Sequence, residues 1–419
     1  MEHTHRRAAG FLRAGHLGTL LTSLLYFDFC FAIWVLNAAM VLFIKEDLQL
    51  TAGQQALLVS VPTFAGALLR LPIGIVAQYI GRKVTAQLQM AVVIAGLLAG
   101  WLWADSYASL LVVGALLGVA GASFGVALSL GAGWYPPEYK GLASGVAAAG
   151  NSGALFALLL GPPLARSLGW HAVYGLAAIP IAVAMVAMQI FAKEPPDREQ
   201  KPLVDYLKVL VDRDAWVFNL LYMVTFGGYI GLTSFLPTLF NNQYHVDKAA
   251  VGTYVAGAVV AASGLRVVGG WLADRFGGVR LLPVLFAGIT AAALAAASLP
   301  ASPIAMALVM ILGFAAMGAG NGAVFQLVPL RYRTSTAVAG SLIGEIGALA
   351  GAAVPIIMAK GQGWQGTYAP GFGAIAALAV VAAGALLLVA RPWLRTWAVV
   401  AAAPATAPAE VAAPAAKAA

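Results

Sequence analysis

Four ionisable side chains, Asp28, Arg70, Arg266 and Glu345, stand inside long apolar runs of this 419-residue chain. At the centre of a bilayer each such charge costs roughly 2.5–3.5 kcal/mol to insert. An arginine cannot escape that cost by giving up its proton, so the pair carries a penalty of about 5–7 kcal/mol that something must offset. A guanidinium is a planar fork of fixed donors and suits flat or forked oxyanions. No lysine lies deep in an apolar run. A multiply charged phosphate ester would recruit a further cation, so a small monovalent oxyanion matches better. Snorkelling and a structural ion pair are the competing explanations. Both arginines, however, lie about two turns before the next polar loop, each preceded by a leucine and followed by continuing helix.

The elements that hold these residues are set by composition. The chain is 61% hydrophobic and 10% charged, against about 25% charged in soluble domains, and its mean hydropathy is +0.88. Its apolar runs exceed the ~20 residues that span a bilayer as a helix. A β-barrel would instead show alternating segments of ~10 residues. The expected fold is all-α, with twelve transmembrane helices in two pseudo-symmetric six-helix bundles. The first six lie near 17–44, 54–77, 85–104, 107–133, 141–163 and 171–192. The second six lie near 215–240, 250–273, 279–299, 303–329, 335–359 and 367–390. The organisation read from these is a cytoplasmic arm (1–16), an N-terminal bundle (17–192), a linker (193–214), a C-terminal bundle (215–390) and an Ala/Pro-rich cytoplasmic tail (391–419). The arm is too polar, and the following span too long, for a cleavable signal peptide.

With the N-terminus placed in the cytoplasm, the cytoplasmic segments carry 18 of the 24 Lys and Arg, the outer loops carry four, and Arg70 and Arg266 are the remainder. The positive-inside rule then puts both termini in the cytoplasm. It also explains the net charge of +8 without nucleic acid. Cys30 is the one cysteine, which excludes an internal disulfide. His3, His5, His16, His171 and His245 show no ligand spacing and are expected at the surface, so no metal site is expected. There is no GxSxG, HExxH or P-loop motif, and neither an enzyme nor a cofactor is expected.

The halves repeat. "LRLPIGIVAQYIG" (69–81) aligns with "LRVVGGWLADRFG" (265–277) at an offset of 196, which places Arg70 on Arg266, Gly74 on Gly270 and Gly81 on Gly277. Related halves around one midplane site describe a rocking carrier. Small residues recur at three- and four-residue spacing in 141–157 and 340–355, including Gly145, Gly150, Gly153, Gly340, Gly344 and Gly347. Such spacing lets helix backbones approach closely. Asn151, amid these glycines, is a buried amide that needs partners.

The loops "GIVAQYIGRK" and "GWLADRFGG" resemble the loop motif of the major facilitator superfamily. The second keeps Asp274 and Arg275, a gating pair; the first has Gln78 and Tyr79 instead. More specifically, "ASFGVALSLGAGWYPPEYKGLASGVAAAGNSG" (122–153), "LLYMVTFGGYIG" (220–231), "GAGNGAVFQLVP" (318–329) and "YFDFCFAIWVLNA" (26–38) resemble segments of the nitrate/nitrite porters of the NarK type. That resemblance implies alternating access between two six-helix bundles in the cytoplasmic membrane. It implies nitrate or nitrite as substrate, clasped by Arg70 and Arg266, with Asn151, Tyr222, Phe226 and Phe124 shaping a flat slot. It leaves open nitrate/nitrite antiport and nitrate–proton symport, either of which serves nitrate assimilation, and it is consistent with a monomer.

Glu345 departs from the family pattern, which is Gly/Ala-rich there. An ionised Glu345 would balance a buried arginine until an anion displaced it, whereupon it would take up a proton. Asp28, nearer the membrane edge, is a second candidate for proton coupling. A carrier for another anion (an organic acid or phosphate ester) and a non-transporting anion sensor are the alternatives. If the arginine contact is bidentate, Arg266→Lys keeps the charge and loses the fork. Anion affinity, measured on the purified protein, is then expected to collapse; an unchanged affinity contradicts a forked contact.

Overall fold

In lipid each backbone N–H and C=O must find its partner within the chain, and a helix achieves this without outside help. The computed structural model describes residues 10–196, 208–332 and 336–398. Among them, twelve helices are long and apolar enough to cross a membrane. They are α1 (Leu17–Leu48), α2 (Ala52–Ile80), α3 (Arg82–Leu102), α4 (Tyr107–Ala132), α5 (Ala143–Leu168), α6 (Trp170–Phe191), α7 (Arg213–Tyr244), α8 (Val251–Phe276), α9 (Gly278–Ala297), α10 (Pro303–Arg331), α11 (Ala339–Gln365) and α12 (Ala369–Thr396). Residues 1–9, 197–207, 333–335 and 399–419 lie outside the described residues, and with them His3, His5 and parts of the expected arm, linker and tail.

Several ends are longer than the hydropathy pattern suggests. α5 runs through Pro162 and Pro163 to Leu168, and α11 runs through Pro355 to Gln365. Neighbouring helices can re-satisfy the backbone that a proline frees, so these prolines do not end their helices. Local sequence sets the starts. Thr51 and Gln54 form a reciprocal capping box on α2, and Ser106 and Ser109 form one on α4. Two of the histidines expected at the surface are half-buried and bonded. His16 Nδ1 accepts from the Thr19 N–H at 3.1 Å to cap α1, and His171 Nε2 lies 3.1 Å from the Ala104 carbonyl. Gly81 (φ 103°) and Gly277 (φ 89°) each join two helices through a single residue. Only glycine takes that conformation without strain, which is why the repeat carries a glycine at both joints.

Packing follows the small residues. Gly318 and Gly322 of α10 press on the α8 backbone at Ala262 and Arg266, and Gly227 and Gly231 of α7 press on α11 at Gly347 and Gly351. α2 packs along α11, α5 against α8 and α1 against α7. These three pairings hold the first six helices to the second six.

One end of the bundle carries the joints Gly81 and Gly277 and the approaches to residues 197–207; it is called the linker end below. Several polar contacts among the described residues here join elements of one half. The Glu194 carboxylate accepts from the Arg82 and Lys83 N–H groups, each at 2.8 Å. Arg331 pairs with Asp212 at 3.0 Å and Asp214 at 2.5 Å, and Trp393 Nε1 donates to Asp214 at 2.9 Å. At the far end the contacts cross between halves: Arg166 pairs with Asp247, Lys248 pairs with Glu46, and Lys45 Nζ donates to Asn242 Oδ1 at 3.4 Å. The Arg166 guanidinium, helped by the Ala249 N–H, holds the Asp247 carboxyl below the usual carboxylate range. An open cleft of about 730 Å³ lies beside these pairs, lined by residues that include Gln55, His245 and Gln362.

Cys30 is the chain's single cysteine and is buried. A Glu46→Cys, Lys248→Cys variant can therefore be bridged by a cleavable bifunctional thiol reagent without interference. Bridging is expected to stop transport and cleavage to restore it; full transport with the bridge intact contradicts a far end that must part.

Candidate functional site

Arg70 is 6% exposed, deep between α2, α4 and α11. It does not snorkel. Its Nε donates to the Gly121 carbonyl at 3.0 Å and its Nη1 to the Gly344 carbonyl at 2.8 Å. Its guanidinium carbon lies 5.0 Å from the ring centre of Trp34, 5.1 Å from Phe226 and 5.8 Å from Phe124. Arg266 stands across the same slot, 5.5 Å from the Phe124 ring centre and 5.8 Å from Phe325. Phe124 therefore lies against both guanidiniums. The two arginines are close enough to act on each other electrostatically, and the Tyr222 hydroxyl is a hydrogen-bond partner of Arg266. Arg266 Nη1 is sealed from water without a partner.

Aromatic rings close the slot. Tyr222 and Phe226 stack with centroids 5.0 Å apart and planes 8° apart. A π-helical turn, Met223–Gly227, follows Tyr222 and includes Phe226 inside α7; such turns often mark functional positions. Toward the linker end, Phe124 and Phe325 meet edge to face at 6.0 Å and 88°. Toward the far end, Trp34 faces Phe226 at 6.4 Å and Phe31 faces Tyr229 at 6.4 Å, both pairs joining α1 to α7.

Of the residues singled out in the sequence, Arg70, Arg266, Phe124, Tyr222 and Phe226 come together in this slot. Asn151 is buried on a 3₁₀ turn of α5, Ala149–Gly153. Its backbone carbonyl accepts from the Tyr229 hydroxyl at 3.5 Å, and its side-chain Oδ1 is sealed without a partner. Among the described residues it makes no hydrogen bond to either arginine. Glu345 is half-buried on α11, hydrogen-bonded to the Leu71 backbone and within electrostatic reach of Arg70, with Oε2 unpartnered. It does not form a direct ion pair with Arg70. Asp28 lies elsewhere, at the crossing of α1 and α5, where the Ser152 hydroxyl donates to it at 2.8 Å and the Gly153 backbone is a further partner.

The glycines divide by what surrounds them. Gly150 and Gly153 press on α1 at Phe27 and Asp28, Gly344 faces Arg70, and Gly347 faces the Tyr222 ring. Gly340 has only ordinary contact with Phe325, and Gly145 has open space where a side chain would go, so no close helix approach depends on it. In the expected gating loop, Asp274 is hydrogen-bonded to Gln326, while Arg275 lies over the Trp271 and Phe276 rings at 5.9 and 5.7 Å.

Trp34, Phe325 and the carbonyls of Gly121 and Gly344 escaped sequence reasoning. Trp34 and Phe325 lie within segments that carry the family resemblance. An aromatic in an apolar helix, however, usually packs against core or lipid, and nothing in its spacing says otherwise. A backbone acceptor leaves no mark in sequence.

With this geometry in hand, comparison with known proteins is informative. The profile described as Major Facilitator Superfamily matches residues 22–355. The chain is similar to the "Nitrite extrusion protein" of Bacillus subtilis, at 29% identity covering 84% of this chain and 88% of that one. It is similar to the "Probable nitrate/nitrite antiporter NarK1" of Thermus thermophilus, at 31% identity covering 84% of this chain and 87% of that one. In fold it is similar to a bacterial homologue of the human lysosomal transporter Spinster, solved in an inward-facing and occupied conformation. That match has a TM-score of 0.68 and 19% identity, covering 90% of this chain and 97% of that one.

Tyr222→Phe keeps the ring stack and removes the hydroxyl that meets Arg266. A hydrogen bond to a charged group is worth about 1.5–3 kcal/mol. Anion binding to the purified variant is therefore expected to weaken at least about tenfold; an unchanged affinity would mean that the hydroxyl takes no part in ordering Arg266.

Proposed function

We infer that this chain, which belongs to the Major Facilitator Superfamily and within it to the nitrate/nitrite porters, carries nitrate and nitrite across a membrane by alternating access. It is a carrier and not an enzyme. One observation bears most of the weight: two guanidiniums, one from each half of the repeat, share a single water-excluding aromatic slot. A planar oxyanion fits between fork and ring faces. Excluding water from the slot strengthens each charge interaction within it. Arg70 and Arg266 bind the anion, Tyr222 orients Arg266, and Phe124, Phe226 and Tyr222 set the flat shape. Asn151 supplies a polar edge once α5 shifts.

The site carries too little charge for a phosphate ester, since among the described residues no third cation joins the two arginines. In proteoliposomes, excess nitrate is expected to block uptake of labelled nitrite, whereas phosphate and organic acids leave it unaffected. Equal competition by a carboxylate or phosphate ester would transfer the site to another anion class. The 18-to-4 division of Lys and Arg supports a cytoplasmic-membrane carrier with both termini and the linker in the cytoplasm. The far end is then the external face, and the protein functions as a monomer.

Proton coupling is a second reading, favoured by Glu345. This acid stands beside Arg70 with one oxygen sealed and unpartnered, so it is placed to exchange a proton as the arginine's partner changes. Glu345→Gln is expected to abolish proton-driven nitrate accumulation and to spare nitrate–nitrite exchange. Accumulation that survives at full rate leaves exchange as the sole mode.

A further inference from the structure

The two arginines are symmetry mates in sequence but unlike in structure. Arg70 is satisfied by protein: Nε on the Gly121 carbonyl within its own half, Nη1 on the Gly344 carbonyl of α11 in the other half. Arg266 has the Tyr222 hydroxyl as a partner and an Nη1 that is buried with none. Position 344 is also sterically particular. A methyl group added there would meet Arg70 Nη1 at 3.0 Å and no other atom within 4 Å. The Gly344 carbonyl can reach the guanidinium because nothing but hydrogen extends from its Cα.

We propose that Arg266 receives the anion first, and that Arg70 closes on it second by releasing the Gly344 carbonyl, which otherwise stands in for an anion oxygen and latches α2 to α11. This rests on the reading of the slot as a nitrate/nitrite site and adds an order of engagement and a coupling device. The Arg70–Gly344 hydrogen bond crosses between the halves at the helix pair that packs them together along the slot. An anion that draws Nη1 away exchanges an inter-half bond for one to itself. The loaded carrier is therefore free of a constraint that the unloaded carrier keeps. Such a latch favours exchange over net movement, because a carrier that has released its anion re-forms the bond to Gly344 and resists reorientation.

The test uses the purified full-length chain. Nitrate affinity is measured by calorimetry, and the ratio of net nitrate efflux to nitrate–nitrite exchange is measured in proteoliposomes. Gly344→Ala crowds only Arg70, and is expected to tighten nitrate binding at least threefold and to raise the efflux-to-exchange ratio. A merely structural role for Gly344 would weaken binding and lower both rates together. A folded Gly344→Ala protein with unchanged or weaker binding and an unchanged ratio overturns the latch. Should that variant not fold, Arg70→Lys and Arg266→Lys decide the matter. The order of engagement predicts a loss of at most tenfold for Arg70→Lys, with a raised ratio, and at least a hundredfold for Arg266→Lys. Equal losses overturn it. If the unaltered protein binds neither nitrate nor nitrite, the proposed function fails instead, whatever the variants do.

Discussion

Two guanidiniums buried in a lipid-solvated bundle are the constraint to which the rest of the structure answers. Arg70 is buried, and Arg266, half-buried as a residue, has its Nη1 sealed from water. For Arg70 the insertion cost of roughly 2.5–3.5 kcal/mol is met by two carbonyl acceptors, since hydrogen bonds to a charged group contribute about 1.5–3 kcal/mol each. Three aromatic faces within 6 Å add cation–π attraction of about 0.5–2 kcal/mol apiece when desolvated. Arg266 has two such faces, Tyr222 and one donor left over. By the same figures these contacts offset the insertion cost of Arg266 as well; what distinguishes it from Arg70 is the Nη1 donor, sealed from water with no acceptor.

The helices are arranged around that requirement. Gly318 and Gly322 let α10 approach α8 closely enough to bring Phe325 against Arg266, and the four-residue spacing of Tyr222 and Phe226 on α7 lets their rings stack. The rings stabilise both cations and shield Arg70 from water. Charge pairs across the two halves sit at the far end, while the linker-end pairs stay within their own half. The described contacts thus favour closure at the far end.

Much of the fold was legible because lipid imposes a simple grammar: long apolar helices, charges in the loops, and a repeat that survives wherever glycine is mechanically required, as at Gly81 and Gly277. The arginines were legible for the same reason, since a charge without an alibi stands out in an apolar run. What stayed hidden depended on backbone geometry. No spacing rule anticipates the π-helical turn or the 3₁₀ turn at Asn151, although four-residue spacing already puts Tyr222 and Phe226 on one face. The carbonyls of Gly121 and Gly344 have no side chain to betray them. Glu345 was expected to balance a buried arginine, but an acid's place in an apolar run does not tell a direct ion pair from the offset placement found, in which the acid bonds to Leu71. Asp28, read as a possible proton site, lies where α1 meets the 3₁₀ turn of α5, bonded to Ser152.

The proposed role of the leftover Arg266 donor is to receive nitrate or nitrite. A ligand that binds only the folded state stabilises it in proportion to its affinity. Thermal unfolding of the purified protein in detergent, with nitrate, nitrite, formate, sulfate and phosphate added in turn at matched ionic strength, therefore tests the claim directly. The account predicts that nitrate and nitrite raise the midpoint and that sulfate and phosphate do not, with the rise vanishing when Arg266 is replaced by leucine. A rise of equal size with phosphate, or one that persists without Arg266, would contradict it.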